Sequence, residues 1–194
     1  MIFMATYEYV YIEDVDVQEI ISFMEGFYCF GRREVIAEPN EMQYYEAGNR
    51  LFLFRQLTEP RWVEVSIDMD ELYELDEIYR RISERFSTRV LFLYKQTTSA
   101  DARVALFENG TLLRSIHQVY MPHLGDLRIV QNFGNRMKFE EELNLEFPTE
   151  YRYATTDTIS RTDINSIMQV FGVGPYKTDA ACEYIHVEVI KSRN

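Results

Sequence analysis

Residues 70–117 read DELYELDEIYRRISERFSTRVLFLYKQTTSADARVALFENGTLLRSIH, and three signals in this stretch decide the fold. Over 70–86, Leu72, Leu75, Ile78 or Tyr79, Ile82 and Phe86 recur at helical spacing and make one apolar stripe. Asp70, Glu71, Glu74, Asp76 and Glu77 fill its N-terminal half, and Arg80, Arg81 and Arg85 its C-terminal half. A helix dipole favours that order of charge, so the run needs no functional explanation. Residues 89–95 (RVLFLYK) are apolar almost without interruption, as expected of a strand buried on both faces in the middle of a sheet. Asn109 and Gly110 then divide ARVALFE from TLLRSIH, and Asn followed by Gly supplies the two positive-φ residues of a type I′ hairpin.

The flanks extend the pattern. Residues 3–12, rich in Tyr, Val and Phe, read as a strand. Asp16 is a helix N-cap with Glu19 three residues on, and Val17, Ile20, Ile21, Met24 and Phe27 follow helical spacing. Turn residues at Pro39–Asn40, Gly48–Asn49 and Glu59–Pro60 cut 32–67 into a four-strand antiparallel meander at 32–38, 41–47, 50–57 and 61–67. After Pro122 the periodicity weakens to a strand at 127–133 and either a short helix or an irregular connection at 137–145. A helix over 161–171, capped by Ser160 or Thr162 and stopped by Gly172, precedes a last strand at 183–190. The expected architecture is one α+β domain over residues 1–194: a mostly antiparallel sheet, meander plus hairpin, with about three helices packed on one face. Two lobes, if present, divide near 120–125.

The 194 residues include 46% hydrophobic and 14% aromatic side chains, far from the composition of a disordered chain. Twenty Lys and Arg against 32 Asp and Glu leave a net charge of -12, the wrong sign for a sequence-independent binder of the phosphate backbone, so no direct nucleic-acid partner is expected. The surplus is uneven: residues 1–100 carry 19 acids and 10 bases, residues 101–194 carry 13 and 10. Two cysteines, Cys29 and Cys182, are too few for a disulfide framework. The N-terminal residues lack the basic and continuous apolar regions of a signal peptide, and no apolar run approaches a membrane span. A cytoplasmic protein without a membrane partner is expected.

Chemical motifs are sparse. There is no Gly-rich phosphate loop, no HExxH or CxxC zinc spacing and no GxSxG elbow, so no cofactor and no metal are expected. Two constellations remain. Glu64, Asp68, Asp70, Glu71 and Glu74, with Trp62 and Tyr73, would form an acidic surface with aromatic anchors suited to a basic protein partner. Asp101, Arg114, His117 and His123 flank the 102–117 hairpin and its following loop and would make a polar site if they converged, as an enzyme without a standard motif would need. Arg103 belongs to the same neighbourhood.

The stretch from Pro60 to about Tyr120 joins a helix ending in SERF, a hydrophobic strand, the polar QTTSAD connection and the FENGTLLRSI hairpin. In that layout it resembles small uncharacterised bacterial proteins, including immunity proteins of polymorphic toxin systems. The resemblance implies a cytosolic, non-catalytic inhibitor of one cognate toxin and carries over no functional residue. The expected function is therefore a binding protein that neutralises a basic toxin through an acidic surface. The alternatives are an enzyme around Asp101, Arg114 and His117, and an acidic decoy that imitates DNA. Arginines interleaved among the acids of 70–86 weigh against the decoy.

Overall fold

The computed structural model describes residues 6–36, 50–58, 61–68, 75–155, 158–174 and 183–192. Its elements are β1 (Thr6–Glu13), α1 (Val17–Met24), β2 (Tyr28–Ile36), β3 (Arg50–Thr58), β4 (Arg61–Asp68), α2 (Leu75–Arg85), β5 (Arg89–Gln96), β6 (Ala102–Glu108), β7 (Thr111–Met121), β8 (Asp126–Phe133), α3 (Lys138–Glu142), β9 (Tyr153–Ala154), α4 (Arg161–Phe171) and β10 (Tyr184–Ser192). The ten strands form one sheet in the order β2-β10-β3-β4-β1-β5-β6-β7-β8-β9. Every neighbouring pair is antiparallel. The fold is α+β, dominated by antiparallel sheet.

Local chemistry accounts for the ends of the elements. The Asp16 side chain accepts from the Gln18 N–H at 2.8 Å and caps α1. Ser160 and Asp163 cap α4 reciprocally, and Gly172 ends it in the left-handed conformation. Asn109 and Gly110 both take positive φ, 48° and 77°, and close the β6–β7 hairpin between Glu108 and Thr111. Residues 122–125 turn β7 directly into its neighbour β8.

Two expectations change. The meander does not run through in sequence order: β10 lies between β2 and β3, and only β3 and β4 pair as consecutive strands of that region. Ile185, Val187 and Val189 alternate with polar residues and bury their row against the sheet, which a strand at its edge would not achieve as fully. The segment 41–47 lies outside the described residues. The helices cover both faces, not one. On the first face α1 and α2 pack Ile20, Ile21, Met24, Ile78 and Ile82 over Val10, Phe54, Val65 and Phe92. On the second, α3 and α4 pack Phe139, Ile164, Ile167 and Met168 over Leu91, Leu93, Val104 and Ile116. β5 lies between the two cores, and its residues from Val90 to Lys95 are all buried, which explains its unbroken apolar sequence.

Beyond β8 the chain turns at Gly134, whose φ is +85° and where a Cβ would stand 2.0 Å from the Leu113 carbonyl oxygen. Gly125 also has positive φ, +69°, but a Cβ there would meet nothing within 4 Å. Gly134→Ala is therefore expected to lower stability by roughly 3 kcal/mol and Gly125→Ala by about 1 kcal/mol. Equilibrium urea unfolding of the two variants measures the difference, and equal losses would contradict the close approach at Gly134.

Candidate functional site

Of the first constellation expected from the sequence, Trp62 and Glu64 are buried and not on the surface, and the second does not converge. Trp62 is 2% exposed, with Phe171 of α4 edge-on at 6.2 Å, so it is core and not a surface anchor. Glu64 is likewise buried, in a 2.7 Å ion pair with Arg55. Asp68 closes β4, and Asp70, Glu71, Tyr73 and Glu74 lie outside the described residues. In the second constellation, Arg114 points to the second face of the sheet. There it forks onto Glu140 of α3 with two 2.8 Å bonds and donates to Asn132 and the Phe133 carbonyl. His117 points to the first face, opposite Arg103. Asp101 accepts from the Tyr120 N–H, and His123 is exposed in the β7–β8 turn. The sheet itself separates Arg114 from His117, because residues an odd number of places apart along a strand face opposite ways.

What the register does assemble is a transverse row on the first face. Glu8 of β1 faces Tyr94 of β5, Tyr94 faces Arg103 of β6, Arg103 faces His117 of β7, and His117 faces Gln131 of β8. Directly opposed side chains of an antiparallel sheet stand about 5 Å apart at Cβ, so the five form a continuous polar line. All but Gln131 are less than a tenth exposed. Asp76, in the first turn of α2, clamps Arg103 from above with two 2.7 Å bonds. Ser115 joins the line by accepting from Arg103 and donating to Gln131. Tyr79 of α2 stacks on Phe92 beside the row, and its buried hydroxyl has no hydrogen-bond partner among the described residues.

This environment perturbs the groups it holds. Burial, and then the Arg103 charge, lower the His117 pKa to about 4, so its imidazole is neutral near pH 7. Burial, and then the Glu8 carboxylate, raise the Tyr79 phenol well above its ordinary range. A second row on the other face runs Tyr184, Arg55, Glu64, Tyr11. The Arg55 guanidinium donates to Tyr184 and lies 5.1 Å from its ring centre. Burial and Glu64 raise the Tyr11 pKa. Lys95, also buried, donates to the carbonyls of Ala100 and Ile159.

The exposed chemistry lies elsewhere, along the β8–β9 edge. Tyr151 and Tyr153 are 70% and 61% exposed, and Phe133 and Leu124 about half. Tyr153 faces Arg128, itself paired to Asp126 at 2.6 Å. Tyr151 has φ +59°, a conformation bulky residues rarely adopt, and is held there by its N–H bond to the Ile129 carbonyl. Glu141, Glu142, Glu146 and Glu150 are exposed along the segment leading into this edge.

No family model, curated protein or solved structure matches this chain. Among the described residues no three His, Cys, Asp or Glu are grouped to hold a metal ion, and no helix is long and apolar enough to cross a membrane. Sequence reasoning reached Arg103 and His117 but missed Glu8, Asp76, Tyr94 and Gln131. Arg103 inside the apolar ARVALFE strand was the available signal, since a charge there must find a partner.

Because His117 is near 4 in the folded protein and near 6.5 when unfolded, the unfolded chain takes up a proton between those values that the folded chain does not. The stability contributed by neutral His117 is complete above about pH 6.5 and falls, by roughly 3 kcal/mol, as the pH drops toward 4. Urea midpoints at pH 7, 5.5 and 4 should show a shallower acid loss in His117→Gln than in the parent. An identical slope in both would place the titration elsewhere.

Proposed function

We propose that this chain is a non-enzymatic binding protein of the immunity type, which neutralises a basic protein partner by covering it with an acidic, aromatic-bearing surface. The observation that carries this reading is the concentration of exposed aromatic side chains at one edge of the sheet, Tyr151, Tyr153 and Phe133, beside a segment bearing four exposed glutamates. Tyr combines a large apolar area with a polar tip and is enriched among residues that dominate binding energy, while surrounding acids steer a basic partner and reject acidic ones. The net charge of -12 adds long-range attraction for such a partner. In this reading the contact surface is the β8–β9 edge, since Trp62 and Glu64 are buried, and the protein acts in the cytosol on a protein partner, not a nucleic acid.

A second reading, an enzyme without a standard motif, is favoured by the polar row. Arg103 and neutral His117 stand side by side with Glu8 and Tyr94 under α2, a set able to orient a polar substrate and move a proton. Arg103 and Asp76 already satisfy each other, and Arg114, part of the site expected from the sequence, is spent on Glu140. For this reason the row ranks second. The DNA-imitating decoy is disfavoured by α2, where Arg80 and Arg81 fold back onto Glu77 and break any run of exposed negative charge.

The tagged protein, used as bait in lysate of its native cells at two salt concentrations, should retain one basic protein that is lost at the higher salt. The Tyr151→Ala, Tyr153→Ala double variant should bind that purified protein roughly tenfold more weakly or worse. Retention of no specific protein at either salt, or full affinity in the double variant, would overturn the reading.

A further inference from the structure

Between β8 and β9 the chain leaves the sheet at Gly134 and returns at Pro148, and the two ends of this excursion stand together. The Asn132 side-chain amide donates to the Phe147 and Pro148 carbonyls at 3.4 and 2.8 Å. The Arg114 guanidinium donates to the same Asn132 side chain and to the Phe133 and Gly134 carbonyls at the other end. A surface segment whose ends meet and which packs on its own contacts is an Ω-loop. Because its ends are already joined, it can lift without moving the strands that enter and leave it.

The loop is pinned to the body at two adjacent residues. Over 134–148 only Phe139 and Glu140, both in α3, are buried. The Phe139 ring centre lies 5.7 Å from that of Phe171 in α4, while Met137, Leu143, Leu145 and Phe147 reach the second core only from its border. Glu140 carries the remaining commitment. Its carboxylate takes two 2.8 Å bonds from Arg114 of β7 and one from the Met137 N–H, and its carbonyl accepts from the Leu145 N–H at 2.8 Å. Arg136 adds bonds to the Glu140 and Leu145 carbonyls at 3.3 and 3.1 Å. One residue thus ties the loop both to the sheet and to itself. The Arg114 and Glu140 side chains are 5% and 2% exposed, so parting them requires that water reach both ions. Lifting the loop admits that water, whereas β7 stays laddered to β6 and β8 on either side.

We propose that residues 134–148 form a strap that opens as a unit while the sheet stays folded, with the Arg114–Glu140 pair as its latch. Opening bares the Arg114 guanidinium beside Ile116 and carries Glu141, Glu142 and Glu146 with the strap. The latch therefore sets whether those acids stand next to the exposed aromatic edge. That consequence rests on the binding reading above, but the opening itself does not.

The test is native-state hydrogen exchange of the ¹⁵N-labelled whole chain in urea up to about 1 M, below the unfolding transition. The Leu143 and Leu145 amides, bonded to the Phe139 and Glu140 carbonyls, report the strap, and the Leu91 and Leu93 amides of β5 report the sheet. In the parent the two strap amides should share one opening that urea does not accelerate, with protection at least about a hundredfold below that of β5, whose exchange should quicken with urea. Glu140→Gln leaves the buried Arg114 without its countercharge and should speed strap exchange about tenfold or more. Arg136→Ala removes only an exposed side chain's two bonds and should speed it about threefold, which supplies a second variant should Glu140→Gln lose its dispersed spectrum. One urea slope for strap and β5 amides would mean that the loop opens only with the whole chain. Widely different rates at Leu143 and Leu145 would mean fraying, and unchanged strap exchange in the variants would mean that the pair is no latch. Each of these three results would overturn the proposal. No partner enters the measurement, so its failure and that of the binding reading are separate results.

Discussion

An antiparallel ladder fixes which side chains face each other across the sheet, and in this protein that constraint determines where buried charge can exist. Glu8, Tyr94, Arg103, His117 and Gln131 come from five strands and meet only because the register of four ladders aligns them. The same holds for Tyr184, Arg55, Glu64 and Tyr11 on the opposite face. A buried ion without its partner would shift its protonation or open the structure. A slip of one residue would move every one of these groups to the wrong face, so the polar rows and the two apolar cores specify the same register.

The helices rely on this arrangement. α2 carries an apolar stripe into the first core, yet its position along the sheet is set by Asp76 gripping Arg103 and by the Ser83 hydroxyl receiving the Gly110 N–H. α3 has only five residues, too few to be stable alone, and is held by Phe139 in the second core and by Glu140 under Arg114. A pair such as Arg114–Glu140 adds little net stability over an apolar equivalent, but it admits one geometry where an apolar contact would admit several.

Local chemistry was legible in the residues themselves. The Asp16 and Ser160 caps, the Asn109–Gly110 turn, the Gly172 stop and the double burial of β5 each follow from a few adjacent side chains. Pairing was not. That β10 joins β2 to β3, and that the helices divide between two faces, depends on contacts between distant segments that no periodicity encodes. Trp62 and Glu64 show the cost to the reading of function: a tryptophan and a glutamate flanking Val63 suggested a surface, but they alternate with Val63 and Val65 toward a face that is itself covered. Arg103 and His117 were visible as unusual residues, while their partners Glu8 and Asp76 became meaningful only once the strands and α2 were placed.

The insertion of β10 also bears on how the chain is made. Until residues 184–192 emerge from the ribosome, β2 and β3 each present an open edge and the sheet has a slot between them. Emerging protein with Phe52, Phe54 and the aromatic end of β2 beside that slot is a template for any free strand nearby. β10 closes that gap, so the protection of the β3 edge waits on a strand more than a hundred residues further along the chain.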